Sequence, residues 1–221
     1  MAEIEKIDKE LYHYDPVWQV QLVVIIALVF QVILPNKFSI DPKWILPTLE
    51  VILLLALVFT TPKEARFESR LRRLNSIALI ALISAANIYS LFRAITDLLA
   101  RGHISDGQVL VFAAINIFLT NIIIFALWYW ELDGGGPGRR NHTPIKDHDF
   151  LFPQMDTPEI AADNWKPAFF DYLYVSVTNA TAFSPTDTMP LRHRAKLLMG
   201  IQSIVSVMTL AILAARAVNI L

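Results

Sequence analysis

The stretch from Trp165 to Leu221 constrains this chain more than any other. It reads as a short amphipathic helix at 168–181 (AFFDYLYVSVTNAT), a polar loop at 182–190 (AFSPTDTMP) and an unbroken apolar helix at 195–221. Crossing the hydrocarbon core takes about 20 helical residues, so the first helix is too short and the last is long enough. A bilayer offers irregular backbone no hydrogen-bond partners; such backbone persists at membrane depth only inside protein or beside a water-filled cavity. A half-length helix feeding a polar loop beside a full span therefore predicts a segment that enters the membrane part-way and turns back.

The rest of the chain reads as membrane too. Of its 221 residues 55% are hydrophobic and only 18% charged, and the mean hydropathy is +0.47; both sit far from a soluble domain. Apolar runs at 17–34, 44–60, 74–93 and 109–130 precede the last helix, which makes five spans. Pro35 and Pro62 close the first two, and the charged segment 63–73 (KEARFESRLRR) has the i,i+4 alternation of a helix reaching into water or along headgroups. Trp128, Tyr129 and Trp130 end the fourth span in the manner of an interfacial aromatic belt. No stretch repeats, which leaves an inverted-repeat transporter unsupported. The first fifteen residues (MAEIEKIDKELYHYD) are charged and lack the apolar core of a cleavable signal, so the first span is expected to direct insertion.

Several chemistries are disfavoured. A formal net charge of -1 gives nucleic acid no electrostatic purchase. The absence of cysteine removes disulfides, thiol catalysis and thiolate metal sites. His142 and His148 with Asp147 and Asp149 match no zinc spacing and read as a solvated loop; neither a metal nor a cofactor is expected, and enzyme chemistry finds no triad. The run Gly134–Gly136 lacks the lysine and hydroxyl of a phosphate-binding loop and reads as a hinge in a long mobile stretch, 131–167.

Polar residues inside apolar spans are costly, so each is a functional candidate. They are Glu50 in the second span, Asn87 and Arg93 in the third, Asn116 and Asn121 in the fourth and Gln202 in the last. Glu50 with Arg93 makes the obvious charge pair. The amides read as interhelical hydrogen bonds, and a single Arg93 is too few for a voltage sensor.

The segment 165–190 (WKPAFFDYLYVSVTNATAFSPTDTMP) resembles the pore helix and filter of the potassium-channel pore-loop superfamily. Val177, Thr178 and Thr181 fall at the end of the pore helix, and Asp187 and Pro190 align with the acid and proline after the filter. Ala182, Phe183, Ser184, Pro185 and Thr186 then occupy its Thr-Val-Gly-Tyr-Gly positions. The resemblance covers roughly the C-terminal half and implies an outer helix at 109–130, a long loop at 131–167, a pore helix at 168–181, a filter-like loop at 182–190 and an inner helix at 195–221. Residues 1–16 would form a cytoplasmic or interfacial segment and 17–108 a three-span region. Ser184 and Thr186 replace the glycines whose left-handed backbone aims filter carbonyls inward, and Pro185 fixes its own φ.

The fold expected is all-α, a polytopic helical membrane bundle with a re-entrant pore helix and loop before the last span. The function expected is a homotetrameric cation pore of weak selectivity, passing monovalent cations in a plasma (inner) membrane, lined by Thr181, Ala182, Phe183, Ser184, Pro185, Thr186 and Asp187, with Phe183 and Pro185 also shaping the loop. The alternative is a non-conducting membrane scaffold or regulatory subunit with the same fold. Fourteen of the nineteen Lys and Arg fall on the side holding the long loop. The positive-inside rule makes that side cytoplasmic; the resemblance implies the opposite face.

Overall fold

The computed structural model describes residues 17–60, 70–99, 107–140, 143–162, 165–182 and 187–220. Six long helices dominate it: α1 (Val17–Ile33), α2 (Ile45–Thr60), α3 (Arg70–Leu99), α4 (Gly107–Leu132), α5 (Phe169–Ala182) and α6 (His193–Ile220). Three of them, α3, α4 and α6, are long and apolar enough to cross a membrane. α1 and α2 are as apolar but shorter, at 17 and 16 residues. Among the described residues strand is confined to two dipeptides, β1 (Phe150–Leu151) and β2 (Met189–Pro190), paired antiparallel with Phe150 opposite Pro190.

α4 is the central element. It packs against α1, α3, α5 and α6, and from Thr120 to Leu127 every residue is buried. A helix apolar on all sides has no solvent face to offer and belongs in an interior. Ala113, Ala114 and Ala126 are fully covered, and such small side chains let neighbouring backbones approach closely. α3 shows the complementary pattern. Its buried residues, Ser76, Leu79, Ile83, Ala86, Ser90 and Ala94 among them, follow the three-and-four spacing of one helix face.

The distribution of polarity is inverted relative to a water-soluble bundle. Asn87, Asn116, Asn121, Gln202, Ser176 and Ser206 are buried, while Leu22, Val29, Ile52, Leu55, Phe92 and Ile204 are exposed. Large apolar side chains on the outside of several helices need an apolar surrounding. With the spans above, this makes the chain a helical membrane protein. Cross-links between helices are polar: Asn116 donates to the Phe30 carbonyl (2.9 Å), Asn75 to that of Leu53 (2.9 Å) and Trp128 to the Ser84 hydroxyl (3.0 Å).

The chain between α4 and α5 departs from the mobile loop expected at 131–167. Leu132 runs into a tight turn at Asp133–Gly135, and the segment behind it folds back over the ends of α4 and α5. Gly134, Gly135 and Gly136 all have positive φ (60°, 88° and 102°), which a side chain would strain. At Gly134 an added Cβ would also stand 3.1 Å from the Arg140 backbone. The glycine run is thus a required turn, not a hinge. Tyr129 and Trp130 are covered by this segment, so they face protein where an interfacial belt was expected.

Packing of this kind separates two substitutions of similar size. Ala126→Leu overfills a covered site and should cost about 1–3 kcal/mol. Ile52→Ala, on an outward face, should stay within about 0.5 kcal/mol. Thermal unfolding of the two purified variants in one detergent checks the difference; equal midpoints would contradict the central position of α4.

Candidate functional site

α5 carries two faces. Tyr172, Ser176 and Asn179 recur every three or four residues and are all buried against α4 and α6, whereas Phe170, Tyr174 and Val177 are exposed. An apolar surrounding gives buried polar groups no water to turn to, so each must find a protein partner. Gln202, fully buried on α6, supplies most of them. Its carbonyl oxygen accepts from the Tyr129 hydroxyl (2.6 Å) and from the Asn179 amide (2.8 Å). Its amide donates to the Ser176 hydroxyl (2.7 Å) and carbonyl (2.9 Å). Ser176 donates onward to the Ile122 carbonyl (2.7 Å), and Asn121 donates to Ser206 (3.1 Å). One residue therefore sets the register of three helices.

A second cluster closes the end of the wedge. Asp133, fully buried, accepts at Oδ1 from the backbone N–H groups of Asp149 (2.6 Å) and Phe150 (3.2 Å). Its Oδ2 accepts from the Tyr172 hydroxyl (2.6 Å) and meets His148 Nδ1 at 3.1 Å. The other ring nitrogen of His148 faces the Thr143 carbonyl at 3.3 Å. Arg140 donates to the Trp130 carbonyl (2.7 Å) and lies over the Tyr172 ring, 4.7 Å from its centre. Arg194 grips Asp149 through both Nε and Nη2, a bidentate geometry that holds direction as well as charge. Beneath these groups Phe150 packs on Tyr129 and Phe152 on Tyr172, at ring separations of 5.0 and 5.3 Å.

Burial alone would make the His148 imidazole harder to protonate. The hydrogen bond and charge of Asp133, aided by the Thr143 carbonyl, outweigh that effect and the repulsion of Arg140. His148 is held above the ordinary histidine value.

The residues singled out from the sequence fall in three places. Thr181 and Ala182 end α5 and are exposed, and Asp187 is exposed just before β2. Thr181 donates to the Val177 carbonyl (2.8 Å). Phe183, Ser184, Pro185 and Thr186 lie outside the described residues. Asn121 and Gln202 meet in the seam, Asn116 crosses to α1, and Asn87 lines a small cavity with Gln31 and Thr120.

The expected pair of Glu50 with Arg93 does not form. Asn75 bonded to Leu53 sets the antiparallel register of α2 on α3, which puts Glu50 about four turns from Arg93. Arg93 instead stacks on Tyr89, 6.0 Å from the ring centre, and neither carboxylate oxygen of Glu50 has a hydrogen-bond partner among the described residues. His148 and Asp149 likewise correct the solvated-loop reading, being 4% and 1% exposed. Asp147 does stay at the surface, paired with Arg192 (2.8 Å). His142 lies outside the described residues. Among the described residues no three His or carboxylate groups converge as metal ligands would.

Ser176, Asn179, Asp133, Arg140 and Arg194 were not anticipated. The signal for the first two was present: both stand on the face of α5 marked by Tyr172 and Val175. Nothing in the local sequence links Asp133 to residues fifteen and more positions away. No family model, curated protein or solved structure matches the chain.

Two measurements test this geometry. In a cycle of Tyr129→Phe and Gln202→Leu, the coupling should be about 0.6–1.7 kcal/mol, the range for hydrogen bonds between membrane helices, read from unfolding in mixed micelles. Strict additivity would remove Gln202 from its place in the seam. For His148 the folded-state value exceeds the unfolded one, so its stabilisation is complete below the unfolded value and is lost as pH rises through the folded value. Amide exchange at 148–150 should accelerate over that window, and His148→Gln should flatten the dependence.

Proposed function

We propose that the segment from α5 to β2 enters the bilayer from the side of the long loop, turns at partial depth and returns. Four copies of the chain would then set these segments about a common axis and form a cation pore of weak selectivity. One observation carries the reading. α5 is 14 residues long, about 21 Å at the helical rise, yet it is held between two spanning helices by a buried polar seam. The chain entering it and the chain leaving it are stapled together by the β1–β2 pair and by Arg194 on Asp149. A helix of that length, tied at one end of two longer ones, supports re-entry over crossing.

Thr181, Ala182 and Asp187 are exposed beside the packed face of α5, where a neighbouring copy or an axial pathway would meet them. Four Asp187 carboxylates around an axis would attract cations and repel anions. Ser184, Pro185 and Thr186 stand in place of the residues that build the carbonyl ladder of potassium channels. A hydroxyl-lined constriction offers less discrimination between sodium and potassium. The same substitutions favour the second reading, a non-conducting scaffold or regulatory subunit that keeps the pore-loop fold. Either form belongs to a plasma (inner) membrane.

Flux of monovalent cations through proteoliposomes separates the two. The native chain should conduct above empty vesicles, and Asp187→Asn should lower cation flux several-fold while the purified assembly stays tetrameric. Background flux from both proteins, or a monomer in mild detergent, would leave the scaffold reading in possession.

A further inference from the structure

Glu50 is the one described carboxylate set in the middle of a membrane helix, and the pore-like segment makes no use of it. It is fully buried, and neither of its oxygens has a hydrogen-bond partner among the described residues. The charges on the elements packed against α2 do not reach it. α1 has none between Val17 and Ile33. On α3, Arg72 and Arg73 lie between one and two turns toward the 61–69 end by the Leu53–Asn75 register, and Arg93 and Asp97 lie four or more turns the other way. Lys37 pairs with Asp97 at that far end. Glu131, the acid on α4, accepts from Ser76 (2.8 Å). The polar group facing Glu50 is the Gln31 side chain of α1, whose amide oxygen and nitrogen are themselves buried without a hydrogen-bond partner.

An ionised carboxylate in that setting would carry a desolvation cost of several kcal/mol with no cation among the described residues to offset it. Neutralisation by a metal cation would require a shell of oxygens, and Gln31 supplies the one carboxamide facing the acid. A proton requires a single acceptor. Binding it forms one O–H bond, and the Gln31 carboxamide is the polar group beside it.

A route as far as Gln31 is also visible. Two cavities of about 10 Å³ each share Gln31, Leu34, Ala86 and Ser90 as walls. That is close to the room one water needs. The outer cavity reaches Ser39 and Lys43 in the connection between α1 and α2, and Leu46 and Pro47, one turn before Glu50, line it. The inner one ends at Thr120, whose buried hydroxyl has no hydrogen-bond partner.

We propose that Glu50 is an intramembrane proton-binding site, reached from the end of the bundle bearing the 34–44 connection through the cavities that Gln31 and Ser90 share. The proposal stands whether or not the chain conducts.

Infrared spectroscopy of the full chain in lipid nanodiscs tests it. At neutral pH the native protein should show a protonated-carboxyl C=O band that Glu50→Gln abolishes, that weakens as pH rises, and that shifts on transfer to D₂O. Glutamine has the shape of the neutral acid, so the variant should keep the native circular dichroism. Ser90→Leu fills the shared wall and should slow the D₂O shift by about tenfold, the effect of ~1.4 kcal/mol on a barrier. The absence of a band assignable to Glu50, or its removal by added sodium at constant pH, would overturn proton binding. A band that never shifts in D₂O, or that shifts equally fast in Ser90→Leu, would overturn the access route.

Discussion

The side chain of Gln202 holds the wedge of α4, α5 and α6 together. Its carbonyl serves Tyr129 of α4 and Asn179 of α5, and its amide serves Ser176. In water such bonds would exchange with solvent at small net gain. Inside an apolar bundle there is no exchange partner, so sliding any of the three helices by one turn strands several polar groups at once. Specificity of register, more than strength, is what this residue contributes.

The seam and the Asp133 cluster act on the same face of one helix. Tyr172, Ser176 and Asn179 stand one turn apart along α5; the first bonds to Asp133 and the other two to Gln202. A single carboxylate thus fixes the entry of α5 and, through the backbone N–H groups of Asp149 and Phe150, the strand that closes on β2. The three consecutive glycines after Asp133 permit this, because the chain must reverse in left-handed geometry within van der Waals contact of Arg140.

Outside the wedge the bundle is held by scattered polar cross-links and by apolar packing around α4. Most buried polar groups there are matched, as Asn116 is to Phe30 and Ser76 to Glu131. Glu50, Gln31 and Thr120 are among the departures, as is Gln19. Structures tolerate such exceptions where function rather than stability places the group; Gln31 and Thr120 line the small cavities between the helices, and Leu46 and Pro47, one turn before Glu50, line one of them.

Local sequence was enough for the helical membrane character, for the positions of the apolar helices and for the shortness of α5, because hydrophobic length and periodicity are properties of neighbouring residues. It was also enough to mark Asn121 and Gln202 as costly unless bonded. It misjudged 131–167, where abundant glycine, proline and aspartate read as a mobile loop although Asp133, Arg140, His148 and Asp149 are buried there. It paired Glu50 with Arg93 on charge alone. Those outcomes turn on which side chains meet across fifteen to sixty positions and on the register of one helix against another. Such contacts arise only when the apolar faces have packed, and packing decides which polar groups are left facing each other.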